Sequence, residues 1–518
     1  VSSGPSVIGG FYYALDVTDP LKPRFLWQLS SAGDKKDERR DLFGDSVPGA
    51  AITTLRLRET GVGRNDERMV PVAILAGGNR NAAPTGDTPR RRDPAAAWNG
   101  TGHRRRQRIR DWGDSVAARS VTVVELYSGR IIMRLGGKNC DTSGPGCTVV
   151  DTGDHPLQCN DPPTCSNVTA ILSPDVVQPA SGQIGYFDSP MSGQPVVYPT
   201  GVGQVATRAY VGDQDGTMWR INLSDPDPRN WKAEIAFDAY NWDGPGNHTL
   251  EDARIEAGRG AGGSLLSEIS ITSAADAAIA GNPITTPALL SSDEFEQTTV
   301  SFATGDAETF QLASPNAINM LVTFVDYYDP TDLRFEPYVN DRPPGAPTAP
   351  YQGIEMAFLD GASVTGPLSL FDGQLLFSYF VPQTSTACTF GQGGWCAAQY
   401  LKHAAQNIPD AVMDLNGVGG MEICDDFTGA GYTGNEVVFG VQVNQKPSCQ
   451  PTPDTFPDPW LAGSYSAITS SAAGNYEIVM FTGQGGTTEH GAATKSARKG
   501  LNTPRSSTSV RSWVNAIE

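Results

Sequence analysis

Five histidines, eight cysteines and a carboxylate-bearing glycine loop are the residues here that could do chemistry, and their spacing decides which chemistry is open. His103, His155, His248, His403 and His490 stand far apart in loop-like stretches. No two are spaced to share a metal on one element or to activate a nucleophile. The cysteines contain no C-x-x-C, which argues against a zinc knuckle or a thiol-redox centre. No P-loop, dinucleotide fingerprint or nucleophile elbow occurs, and FGQGGW reads as loop glycine beside cysteines. The expectation is a protein without catalytic residues. Calcium is the metal worth weighing, because a hard cation wants clustered oxygens on a bent loop. DLNGVGGME offers Asp414, Asn416 and Glu422, with Asp425 and Asp426 just beyond, though it lacks the full spacing of an EF-hand loop. Asp213 and Asp215 in GDQDG are simpler to read as turn residues whose side chains accept backbone hydrogen bonds.

Cys140, Cys147, Cys159, Cys165, Cys388, Cys396, Cys424 and Cys449 lie in Gly-, Pro- and Asp-rich segments rather than in apolar strands. Loop cysteines in close pairs suggest disulfides and export. Locality favours Cys140 with Cys147, Cys159 with Cys165 and Cys388 with Cys396, leaving Cys424 for Cys449. A cross-linked cluster joining the first four in another order stays open. Val1 is not an initiator methionine and no leader follows it, so we expect a signal peptide and further N-terminal sequence upstream.

Composition narrows the class. With 57 Gly and 38 Pro in 518 residues, long helices are interrupted too often to form, and an all-β chain with long loops fits. Hydrophobic residues at 39% exclude general disorder, and no apolar run is long enough to span a bilayer. A net charge of −19 disfavours nucleic acid and anionic membranes as general partners. The Arg90-Arg91-Arg92 and Arg104-Arg105-Arg106 runs near Trp98 and Trp112 could suggest an acidic polymer. A solvated loop, or one docked on an acidic neighbour, is the simpler reading.

The elements that would position any site are hairpins. RAYVGDQDGTMWRINL reads as two strands about an Asp/Gly turn, with Trp219, Ile221 and Leu223 on one face and Arg220 and Asn222 on the other. At the start, Tyr13, Leu15 and Val17 are expected to share a face, returning through Phe25, Trp27 and Leu29. VTVVEL turns at Tyr127-Ser128-Gly129 into Ile131, Met133 and Leu135. Repetition of one hairpin pattern argues for a repeat fold. Insertions are expected at about residues 81–120, 139–182, 239–281 and 388–434, within a single domain spanning residues 1–518. Residues 437–443, 476–483 and the closing VRSWVNAI supply the last strands, and Trp27, Trp219 and Phe377 should be buried.

Taken in order, GGFYYALDVTDP with FLWQL, LFGDSVP, VAILAGGN, VVELYSGRII, YVGDQDGTMWRINL, PITTPALL, VTGPLSLFDGQLLFSYFVP and VRSWV resemble the C-terminal β-propeller domain of the PilY family of type IV pilus tip proteins. The resemblance implies a seven-bladed all-β propeller with quinoprotein-like repeats, exported and displayed at the pilus tip outside a Gram-negative cell. It implies adhesion to surfaces or host cells, minor pilins as partners, and a part in pilus extension and retraction. The family's calcium loop is not matched, because YPTGVGQVATR, residues 198–208, carries no carboxylate. A rival class is a pyrroloquinoline-quinone dehydrogenase, whose propeller repeats are similar but which usually carries adjacent cysteines that do not occur here. A secreted scaffold without adhesive function is the third class.

Overall fold

The computed structural model describes residues 2–4, 10–30, 43–58, 67–80, 90–91, 108–109, 118–136, 187, 189–201, 203–228, 231–239, 281–292, 297–305, 319–329, 334–338, 351–352, 354–358, 361–371, 374–382, 392–399, 402–403, 429–434, 437–445, 476–483 and 495–501. The described elements are all β, arranged in several separate antiparallel sheets. Among the described residues no helix is long and apolar enough to cross a membrane. The chain divides into two compact units, one of Val1–Ser363 with Leu401–Asn416 and Arg511–Glu518, the other of Val364–Tyr400 with Gly417–Val510.

In the first unit four larger sheets follow one another in chain order, beside two short strand pairs, Arg90–Arg91 with Arg108–Ile109 and Tyr351–Gln352 with Lys402–His403. The first holds Ser2–Gly4, Phe11–Asp16 and Arg24–Ser30; the second Ala51–Arg58, Glu67–Ala76, Ser120–Glu125 and Ile131–Gly136. The third holds Val196–Tyr198, Arg208–Gly212, Thr217–Asn222 and Lys232–Asp238. The fourth is built on Leu289–Ser292, Thr298–Ala303 and Asn319–Asp329, the last pairing with both Arg334–Tyr338 and Ile354–Phe358. Paired strands within these sheets run antiparallel.

Because strand side chains alternate, each inner sheet offers an apolar face to both neighbours. Ala73, Leu75 and Val124 of the second sheet pack with Tyr12, Trp27 and Leu29 of the first. From its other face Val72, Ile74 and Val123 meet Val211, Trp219 and Ile221 of the third. The third sheet turns Tyr210, Met218 and Phe237 toward Val300, Phe302 and Phe324 of the fourth. Phe237 and Phe324 are stacked with centroids 5.2 Å apart, and Phe187 meets Trp219 edge-on at 5.0 Å.

Two details of the expected hairpins change. In the first, Tyr12 and Ala14 are buried while Leu15, Val17 and Phe25 are exposed, so the core face is the even-numbered one. Tyr12 and Ala14 stand opposite the buried Leu29 and Trp27, while Tyr13 stands opposite Gln28; the register shift after Ala14 then takes Phe25 off the face of Trp27. In the third sheet Arg220, on the face opposite Trp219, is also buried, because another sheet covers that side too.

The second unit carries Ser369–Phe371, Gln374–Val381, Gln392–Gln399 and Gly429–Gly434, and a further sheet of Val437–Gln445, Tyr476–Gly483 and Lys495–Leu501. Phe371 stands opposite Gln374, the tight turn that Asp372-Gly373 predicts. Leu376, Trp395, Val438 and Val441 form its apolar core. The glycines read as loop in FGQGGW lie instead at the head of a strand. A Cβ on Gly394 would stand 2.3 Å from the Tyr379 hydroxyl oxygen, so the glycine permits a close cross-strand approach. Trp27, Trp219 and Phe377 are all buried.

Candidate functional site

The residues with chemical potential gather where one sheet is fastened to the next. The segments leading into the first strands of successive sheets are FGDSVP, SPMSGQP and NPITTP, each closing on a proline, Pro48, Pro195 or Pro287. Their backbones are stitched to the strand ends beside them. Gly44 donates its N–H to the Gly77 carbonyl at 2.8 Å, Asn79 to Ser46 at 2.7 Å and Gly78 to Met191 at 2.8 Å. Gly193 donates to Gly212 at 2.9 Å, Ile284 to Asp213 at 3.0 Å and Gly305 to Pro283 at 2.7 Å. The Gln214 side chain closes the second-to-third junction by accepting from the Arg80 N–H and donating to the Arg80 carbonyl, both at 3.0 Å. These bonds satisfy backbone groups that the ladders leave over.

Asp213 sits at the centre of the third sheet's turn and is fully buried. Its Oδ1 accepts the backbone N–H groups of Asp215 (2.9 Å) and Thr217 (2.8 Å), and its Oδ2 accepts the Trp219 indole N–H at 3.0 Å. The sequence reading of a turn-capping aspartate thus describes Asp213 well. A carboxylate so fully engaged is a structural acceptor and is not available as a general base.

The other buried polar group was not anticipated. Arg220 forms a short ion pair with Asp326 of the fourth sheet, and Tyr210 donates its hydroxyl to the same carboxylate at 2.6 Å. Burial, reinforced by the Asp326 charge, pushes the Tyr210 hydroxyl well above its ordinary range. Tyr12 is likewise raised by burial, while it donates to the Ala76 carbonyl at 3.0 Å. A signal existed in the sequence: Asp326 is a lone carboxylate inside the apolar run LVTFVDYY, and such a residue needs a cationic or hydrogen-bonding partner. With side chains 1% and 0% exposed, Arg220 and Asp326 fasten sheets together and reach no solute.

The expected calcium ligands Asp414, Asn416 and Glu422 lie outside the described residues, as do Cys140, Cys147, Cys159, Cys165, Cys388, Cys424 and Cys449. Cys396 is buried and disulfide-bonded. Among the described residues no group of three or more His, Cys, Asp or Glu side chains is placed to hold a metal ion.

The geometry therefore defines a class: the described elements are all β, and in the first unit antiparallel sheets pack face to face and are stitched in sequence order. Among solved structures the chain is similar to the C-terminal domain of PilY1 from Pseudomonas aeruginosa, at 13% identity and a TM-score of 0.36, over 76% of this chain and 65% of that one. It is also similar to a NanB sialidase from Streptococcus pneumoniae, at 10% identity and a TM-score of 0.24, over 93% of this chain and 54% of that one. The chain thus spans less than two thirds of either structure. No protein-family model matches it, and neither does any curated protein.

Proposed function

We propose that this chain is a seven-bladed, PilY-like propeller that works by binding: exported, carried at the tip of a type IV pilus on minor pilins, and attaching to surfaces or host cells. What supports the reading is one observation. The quoted motifs recur at equivalent places, with LFGDSVP and PITTPALL each entering a new sheet, and with GGN, GDQDG and ATGD each ending the second strand of one. A repeated motif in a repeated position is what a propeller built by duplication requires. A binding role also suits buried carboxylates that are spent on structure, as Asp213 and Asp326 are. In this reading calcium would be held by Asp414 and Asn416 with Glu422, and the cysteine pairs would stiffen exposed loops.

Deletion of the domain in a piliated host tests the proposal through pilus counts and surface attachment. The expected result is a loss of one or both; normal pili and normal attachment overturn it. Absorbance of the purified protein separates the binding reading from a quinone-dependent dehydrogenase, since a bound quinone is visible.

A further inference from the structure

The hairpin tip of the first sheet turns its apolar residues outward. Beyond the register shift Leu15 stands opposite Phe25, and between them the chain exposes Leu15 at 39%, Val17 at 61%, Leu21 at 89% and Phe25 at 62%. Leu21 follows Pro20 at the apex of a turn closed by the Lys22 N–H donating to the Asp19 carbonyl at 2.9 Å. Turn apices favour Gly, Asn, Asp or Ser, so a bare leucine there serves nothing in the fold itself. Pro20 and Pro23 restrict the loop, which lowers the entropy lost when it docks.

The charges around the tip are sorted. Asp16 accepts from the Thr18 N–H at 3.0 Å and the Thr18 hydroxyl at 2.6 Å, and Asp19 accepts from the Leu21 N–H at 3.1 Å, so both carboxylates serve the loop's own backbone. Lys22 and Arg24 are exposed beside Leu21 and Phe25. The corresponding hairpin turn of the second sheet lies at the same end, because the Trp27 indole donates to the Leu126 carbonyl at 2.8 Å, and it exposes Tyr127 at 67%.

We propose that this tip inserts into the interfacial zone of a zwitterionic phospholipid bilayer. Leu21, Val17 and Phe25 enter the acyl boundary, Lys22 and Arg24 meet lipid phosphates, and Tyr127 rests at headgroup depth. An apolar apex bracketed by charged residues is the arrangement that interfacial anchors use. Net charge selects the lipid. At the tip Asp16 and Asp19 balance Lys22 and Arg24, so an anionic leaflet offers it no local attraction, while the chain as a whole carries −19. The inference holds whether or not the chain is carried on a pilus.

The test is co-sedimentation of the full chain with phosphatidylcholine vesicles at physiological salt. The wild type should partition onto them, and Leu21→Ser with Phe25→Ser should lower the partition coefficient at least about tenfold at an unchanged unfolding midpoint. Adding phosphatidylserine to the vesicles should weaken association. Absence of binding to phosphatidylcholine, or undiminished binding by the double variant, overturns the proposal; stronger binding to the anionic vesicles overturns the choice of lipid.

Discussion

Arg220 of the third sheet and Asp326 of the fourth form an ion pair sealed from water on both sides, with side chains 1% and 0% exposed. Such a pair is a poor source of net stability but an expensive thing to break, since the surviving charge stays buried. Asp326→Ala should therefore lower unfolding stability by roughly 3–5 kcal/mol, whereas Arg220→Met with Asp326→Leu should lie much nearer the wild type. Denaturant unfolding of the three proteins is the measurement. An Asp326→Ala cost below about 1 kcal/mol would mean that water reaches the guanidinium.

Asp213 and Trp219 form the second such centre. Removing the carboxylate leaves two backbone N–H groups and an indole N–H without their acceptor, and Asp213→Ala should cost roughly 2–4 kcal/mol, with Asp213→Asn recovering part of it. Trp219→Ala, which also empties space beside Phe187, should cost roughly 3–5 kcal/mol. The same unfolding assay checks both, and a change within about 0.5 kcal/mol for Trp219→Ala would contradict its burial.

These two centres also mark what the sequence could and could not reveal. The hairpins around residues 127–129 and 213–216 were legible, because alternation and turn residues agree there. In the first hairpin YYALDV is apolar on both faces as far as Leu15, so alternation does not choose between Tyr12 and Tyr13, and the register shift that frees Phe25 leaves no mark in composition. That Arg220 lies opposite Trp219 is legible, but alternation separates two faces of a strand without telling whether a second sheet covers the polar one. FGQGGW reads as loop when its glycines are judged by their freedom, whereas Gly394 serves closeness to Tyr379 within a strand.

Alkaline pH should unfold this protein by way of its buried tyrosines. Tyr12 and Tyr210 are held neutral by burial, so their folded-state ionisation lies above the value of about 10 that the unfolded chain shows. Below pH about 10 both states keep the proton and the contribution is fully present. Above it the unfolded chain binds fewer protons than the folded one, and stability falls as pH rises, by up to about 1.4 kcal/mol per pH unit for each tyrosine. Tyr12→Phe and Tyr210→Phe should each flatten that decline. Identical slopes in wild type and both variants, measured by unfolding between about pH 10 and 12, would show that neither hydroxyl is excluded from water.

Gly78 makes the junction between the second and third sheets depend on a missing side chain. Its φ is +92°, a conformation that costs an ordinary residue about 1–3 kcal/mol. A Cβ there would also stand 1.9 Å from the Ser46 carbonyl oxygen, which is the acceptor of the Asn79 N–H. Relieving that overlap pulls Ser46 away from Asn79, and it strains the bond from the Gly78 N–H to Met191 that fastens the next sheet. Gly78→Ala should accordingly destabilise by more than the conformational cost alone, at least about 3 kcal/mol. Hydrogen exchange locates the damage: protection should fall first at Asn79 and at Ile284, whose own stitch to Asp213 lies one sheet further on, only if the junctions melt together. Loss at Asn79 with Ile284 unchanged would show instead that each junction holds independently.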